Sequence, residues 1–205
     1  MGVAAAWVVL ATGWPARHER PARAPDASAA YITAWRRSQL ATWKVTLRWD
    51  RQAGGGHLAE SVRIAQRPPD RLDEGGGNVQ ARRGDRQLAC AAGEDGRLRC
   101  RDAGPAPPYE QQVDDGVALL RTQLTGPARL YDVRADTTGC FVLQLRVRYP
   151  APPYGQRARL CFDAATGAPT FIEVDRVEGR DRQEAVAVSG AVADADLAPP
   201  PGLPG

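Results

Sequence analysis

Four cysteines, Cys90, Cys100, Cys140 and Cys161, constrain this chain more than any other feature. Four cysteines allow three pairings. Cys90 and Cys100 flank the turn sequence Gly93-Glu94-Asp95-Gly96, and Cys140 and Cys161 bracket a second apparent hairpin whose loop is Pro150 to Tyr154. The expected pairing is therefore local, 90–100 and 140–161. Zinc is the rival use of such residues. No C-x-x-C occurs and the only histidines, His18 and His57, lie far from the cysteines, whereas structural zinc draws on closer ligand pairs. Neither a metal nor a cofactor is expected. Paired cysteines imply an oxidising compartment.

The N-terminal residues agree with that compartment. Gly2 to Trp14 is an apolar run, shorter than the ~20 residues that span a bilayer but suited to a signal-peptide core. Ala22-Arg23-Ala24 and Ala27-Ser28-Ala29 are small-residue cleavage sequences. Residues 1–27 are read as a signal or membrane-anchor segment plus linker, 28–197 as one domain, and 198–205 as a Pro/Gly tail. The expected location is extracytoplasmic, either secreted or anchored at the outer face of the cytoplasmic membrane.

The pattern of apolar residues sets the fold class. Ser28 to Thr42 reads as a helix, with Tyr31, Ala34, Trp35 and Leu40 near one face and Asp26 or Ser28 as its cap. Trp43, Val45, Leu47 and Trp49 then alternate with Lys44, Thr46 and Arg48, the period of a half-buried strand. A second strand covers Leu58 to Gln66, with Val62 and Ile64 on its apolar side, and Pro68-Pro69 stops it. Short strands are expected near 71–73, 78–82, 87–91 and 97–101. Val113, Val117, Leu120 and Leu124 recur at helical spacing within Tyr109 to Thr125, and Gly126-Pro127 ends that helix. Strands follow at 130–135, 140–149, 158–162, 169–177 and 183–192. In the second of these, Phe141, Leu143, Leu145, Val147 and Tyr149 are expected to share one side. Cys140 and Cys161 then fall together on the other, polar side. The class is α+β, mostly antiparallel β: a curved sheet or incomplete β-barrel covered by one or two helices.

Little in the sequence points to catalysis. The two histidines sit in the linker and in a glycine-rich turn, too few for a Ser-His-Asp or Cys-His site. Neither a P-loop nor a dinucleotide fingerprint occurs. Asp114-Asp115 reads as an exposed helix face. The net charge is +3 and nearly every cation is arginine, Lys44 being the sole lysine. The arginines alternate with acids and apolar residues, so no phosphate-tracking stripe forms and nucleic acid is not an expected partner. The chain is read as a non-enzymatic binding protein. Trp35, Trp43 and Trp49 gather where the first helix meets the first strand.

Several segments carry a family resemblance: Tyr31-Ile32-Thr33-Ala34-Trp35 leading into Thr42 to Trp49; the basic-proline step Ile64 to Leu72; Ala158 to Pro169 with its Asp163-x-x-Thr166-Gly167 turn; and Ala185 to Val192 followed by Asp196 to Pro200. From about Tyr31 to Pro204 the chain resembles the LolA-like, periplasmic lipoprotein-carrier superfamily. That superfamily includes mycobacterial lipoprotein relatives and the periplasmic sensor domain that restrains an anti-sigma factor. The resemblance implies a half-barrel with an apolar cavity for acyl chains. It implies no catalytic residue. On this reading Trp43, Val45, Leu47, Trp49, Val62, Ile64, Leu143, Leu145, Leu160 and Ile172 line the cavity. The partner is a lipid or acylated ligand, with peripheral membrane association allowed. The alternative is a protein-binding regulatory module facing a membrane-bound envelope protein.

Overall fold

A computed structural model describes residues 26–93 and 97–199. The signal or anchor segment, the 94–96 turn and most of the Pro/Gly tail lie outside the described residues. Helix α1 (Ser28–Leu40) is followed by β1 (Trp43–Ala53), β2 (Gly56–Arg67), β3 (Asp70–Gly75), β4 (Asn78–Arg83), β5 (Arg86–Ala92) and β6 (Leu98–Pro105). Helix α2 (Tyr109–Leu124) then leads to β7 (Tyr131–Ala135), β8 (Phe141–Leu145), β9 (Arg157–Phe162), β10 (Pro169–Asp175) and β11 (Gly179–Ser189), and the short α3 (Asp194–Leu197) follows. All the strands join one open antiparallel sheet in the order β6-β5-β4-β3-β2-β1-β11-β10-β9-β8-β7. The last strand closes against the first, so two meanders meet at the β1–β11 pair.

The stripe Val113, Val117, Leu120 and Leu124 is buried as its spacing predicts. Val117, Leu120 and Leu124, with Tyr31 and Ile32 of α1, pack on Tyr131, Val133, Leu143, Ala158, Leu160 and Val174 of β7 to β10. A fully buried side chain of this kind contributes roughly 1.5–3 kcal/mol relative to exposure. The helices are thus fixed to the second meander. Gly116 permits the close approach of α2 to α1, because a Cβ there would collide with the Trp35 ring.

Register assigns every side chain to one side of the sheet, since a strand alternates with period two. On the helix side, Trp43, Val45, Leu47, Leu143, Ala158, Leu160 and Val174 are buried. Beyond β2 the arrangement inverts. In β3, β4 and β5 the helix side carries Arg71, Asp73, Gln80, Arg82, Gln87 and Ala89. The apolar residues Leu72, Val79 and Cys90 point to the opposite side, where they form a separate cluster with Leu98 and Cys100. The exchange happens in β2, whose consecutive residues Ile64, Ala65 and Gln66 are all buried. On that opposite side α3 packs against β2 and β3, with Lys44 bonded to Asp196 (2.9 Å) and Arg67 to Asp194 (2.6 Å).

Both cysteine pairs form as expected, Cys90–Cys100 and Cys140–Cys161, and no free cysteine remains. Both lie on the side away from α1 and α2. Cys140 and Cys161 do share one side, next to Phe171, over which the Arg159 and Arg182 guanidinium groups stack at 5.2 and 5.3 Å. Asp163 accepts hydrogen bonds from the Thr166 amide (2.7 Å) and hydroxyl (2.8 Å), which makes the Asp-x-x-Thr-Gly segment a turn.

Two expectations need correction. The strand expected at 140–149 ends at Leu145: the Arg146 amide still donates to Leu130 O in the β7 register, but the pairing with β9 ends at Gln144↔Arg157 and a proline-rich loop follows. Val147 and Tyr149 are therefore exposed, not core-facing. The strands expected at 169–177 and 183–192 meet in a tight turn at 176–178 instead, and β11 begins at Gly179. Helix α3 was not expected; four residues are too few for a periodic signal.

Candidate functional site

The inversion of the sheet creates a cleft. Helix α2 begins at Pro108-Tyr109, over β3 to β5, and its C-terminal half is held on the other meander. Between α1, α2 and the polar floor lies a cleft of about 700 Å³. That is within the ~300–1,000 Å³ range of small-molecule sites. Arg71, Asp73, Gln80, Arg82 and Gln87 supply the floor, and Trp35, Tyr109, Gln112 and Val113 the helical wall.

The polar groups of this cleft are held by one another. Arg71 makes a two-pronged contact with Asp73 (2.7 and 2.8 Å), donates to Gln66 Oε1 (3.0 Å) and stacks on Trp43 at 5.7 Å. Such bidentate pairs fix geometry as well as charge. Arg82, only 9% exposed, donates to Gln112 Oε1 (2.7 Å) and Pro107 O (2.7 Å) and lies 5.2 Å from the Tyr109 ring. It ties the start of α2 to β4. Its Nε is buried without a hydrogen-bond partner. Tyr109 in turn donates to Gln39 O at the end of α1 (2.6 Å), and burial pushes its phenol above the ordinary value. Gln66 closes the deep end, its amide donating to Ser38 O, Gln39 O and Ala41 O at 2.7–2.9 Å. The arrangement presents amide and guanidinium donors beside two aromatic rings. Among the described residues no group of three His, Cys, Asp or Glu could hold a metal.

The ten residues expected to line a cavity fall into separate groups. Trp43, Val45, Leu47 and Ile64 are buried together with Ala168, and Val62 packs against them. Leu143 and Leu160 are buried in the larger core, with Leu145 and Ile172 half-buried beside it. Trp49 is half-buried and shares the helix side with Val62 and Ile172. None of the ten lines the cleft beneath the helices. The residues that do were absent from the sequence expectation, except Trp35. The signal was present in the sequence as Arg71-Leu72-Asp73 and Gln80-Ala81-Arg82, but polar alternation reads as a solvated face until a helix is placed over it.

The fold and cleft together define an open antiparallel half-barrel covered by two helices. No family model matches the chain, and no curated protein matches it. Among solved structures it is similar to MucB, at 16% identity and a TM-score of 0.43 over 85% of this chain and 63% of that one. It is similar also to the Pseudomonas aeruginosa MucA/MucB complex (14%, TM-score 0.41, 84% and 60%). A LolA superfamily protein from Nitrosomonas europaea is a third (9%, TM-score 0.34, 86% and 99%). The chain spans 60–63% of the length of the MucB-containing structures it matches. At these scores the likeness carries neither a binding site nor a partner over to this chain.

Proposed function

We infer that this chain is an extracytoplasmic, non-enzymatic binding module whose cleft receives a polar segment of a membrane-bound envelope protein. The observation that carries this reading is the polar floor: Arg71, Asp73, Gln80, Arg82 and Gln87 face the helices where an acyl chain would need apolar wall. Arg82 Nε, buried without a partner, would stay unpaired against hydrocarbon at a cost of about 1–3 kcal/mol. A polypeptide segment supplies carbonyl and carboxylate acceptors instead. The two disulfides support the oxidising compartment. The carrier of lipid or lipoprotein acyl chains stands as the second reading. It is favoured by the half-buried Trp49, Val62 and Ile172 on the helix side of the sheet, and it requires the ten apolar residues to open around a ligand.

The test pairs native mass spectrometry with site-specific photocrosslinking from position 80, in cells that make the full chain. The expected result is an apo mass with no extractable lipid, and a crosslink to one membrane protein that Ala89→Trp abolishes by filling the cleft. A co-purifying acyl-chain molecule whose binding is blocked at Leu145 would overturn this reading in favour of the carrier.

A further inference from the structure

One end of the molecule presents apolar and cationic side chains together. The β8–β9 loop spans residues 146–156, and the β10–β11 turn lies beside it; between them is an open cleft of about 1160 Å³. Val177 is 83% exposed, Val147 49% and Tyr149 46%. Surface apolar residues scattered singly need no explanation, but these three belong to one loop-and-turn pair. Residues 144–157 contain Arg146, Arg148 and Arg157 and no acidic residue. Arg176 joins them from the turn, where Glu178 is the acid. Arg146 faces Asp132 at 3.4 Å and Arg176 faces Asp181 at 3.2 Å; both acids belong to strands behind the loops.

The loop is built to hold this shape. The Tyr131 hydroxyl donates to Gly155 O (3.1 Å) and accepts from the Tyr154 amide (3.0 Å), and the Gln156 amide donates to Asp175 O (2.7 Å). Gly155 is required at that contact, since its φ is +61° and a Cβ would strike the Asp175 carbonyl. Its base is therefore fixed while its tip projects.

We propose that this loop end docks on an anionic phospholipid surface, with Val147, Tyr149 and Val177 entering the interface and Arg146, Arg148 and Arg176 meeting the phosphates. Apolar side chains rimmed by cations are the chemistry that holds a peripheral protein on such a surface. This surface is separate from the cleft and does not rest on the cleft's proposed role.

The experiment is co-sedimentation of the full chain with phosphatidylglycerol vesicles and with phosphatidylcholine vesicles, at low and high salt. Binding to the anionic vesicles that weakens with salt is expected. Arg148→Gln should weaken it about fivefold, the effect of one surface cation, and the pair Val147→Asp and Val177→Asp should abolish it. These positions are exposed, so thermal melting should stay unchanged; Tyr149→Ser serves as an independent variant. Ala89→Trp, which fills the cleft, should leave vesicle binding intact. Absence of binding, or binding indifferent to Val147→Asp and Val177→Asp, would overturn the proposal and assign the loops to a protein partner.

Discussion

The two meanders of this sheet bury opposite sides. From β7 to β10 the apolar residues face α1 and α2, and the helices seal them. From β3 to β5 the apolar residues face away, towards a disulfide and the α3 segment, and the helices stand over arginines and amides. The first arrangement spends its apolar area on stability. The second leaves the same helices a polar surface that they only partly cover. A sheet of this kind thus gains a site without a cavity in its core, because the helices anchor on one meander and overhang the other.

The sharpest way to break that comparison is to truncate one residue on each side of it. Leu143 is fully buried under the helices, and Leu143→Ala should cost about 2–5 kcal/mol in urea unfolding. Gln80→Ala, exposed on the floor of the cleft in the other meander, should change stability by no more than about 0.5 kcal/mol. Similar losses at both positions would show that the cleft is collapsed in solution. A smaller effect tests the joint between the helices. Gly116→Ala gains up to about 1 kcal/mol of helix propensity but forces the Trp35 ring aside, and overpacking of this kind costs about 1–3 kcal/mol. Net destabilisation is expected, with a shift in tryptophan emission as Trp35 moves towards the cleft; a simple stabilisation would mean that the helices stand further apart.

The smallest effect concerns pH and belongs to the sealed meander. Asp136 accepts from the Thr138 hydroxyl (2.7 Å), the Thr138 and Cys140 amides (2.8 and 3.0 Å) and Arg159 (2.9 Å). The Thr138 hydroxyl leads these bonds in holding the carboxyl well below the usual carboxylate range. A carboxylate lowered in the folded state adds stability above its unfolded value, near 4, and loses it as pH falls through the folded value. The urea midpoint should therefore drop on acidification below about pH 4, and Asp136→Asn should flatten that drop. An unchanged slope in the variant would assign the acid sensitivity elsewhere.

Much of this fold was legible because it is local. The 3.6-residue spacing from Val113 to Leu124 gave the second helix, ending at Leu124 against an expected Thr125, and alternation from Trp43 gave β1. Where alternation misled, the cause lay outside the strand's own pattern. Val147 and Tyr149 continue the pattern of Leu143 and Leu145, yet the pairing with β9 ends at Gln144↔Arg157 and the proline-rich loop carries the chain out of the sheet. The cleft was less legible. Arg71 and Asp73 look like any solvated strand face, and only Tyr109 and Trp35 above them make that face a floor.

By itself the sequence determined the cysteine pairs, the order of the two long helices and the strands, and the class of fold, because these depend on spacing within one segment or across one hairpin. The tertiary structure decided which side each strand turns to the helices. Period-two alternation separates two sides of a strand but does not say which side its neighbour shares, since a one-residue change in a turn exchanges them all. Through the turns on either side of β3, the register placed Leu72 away from the helices and Arg71 and Asp73 beneath them, and that placement made the site.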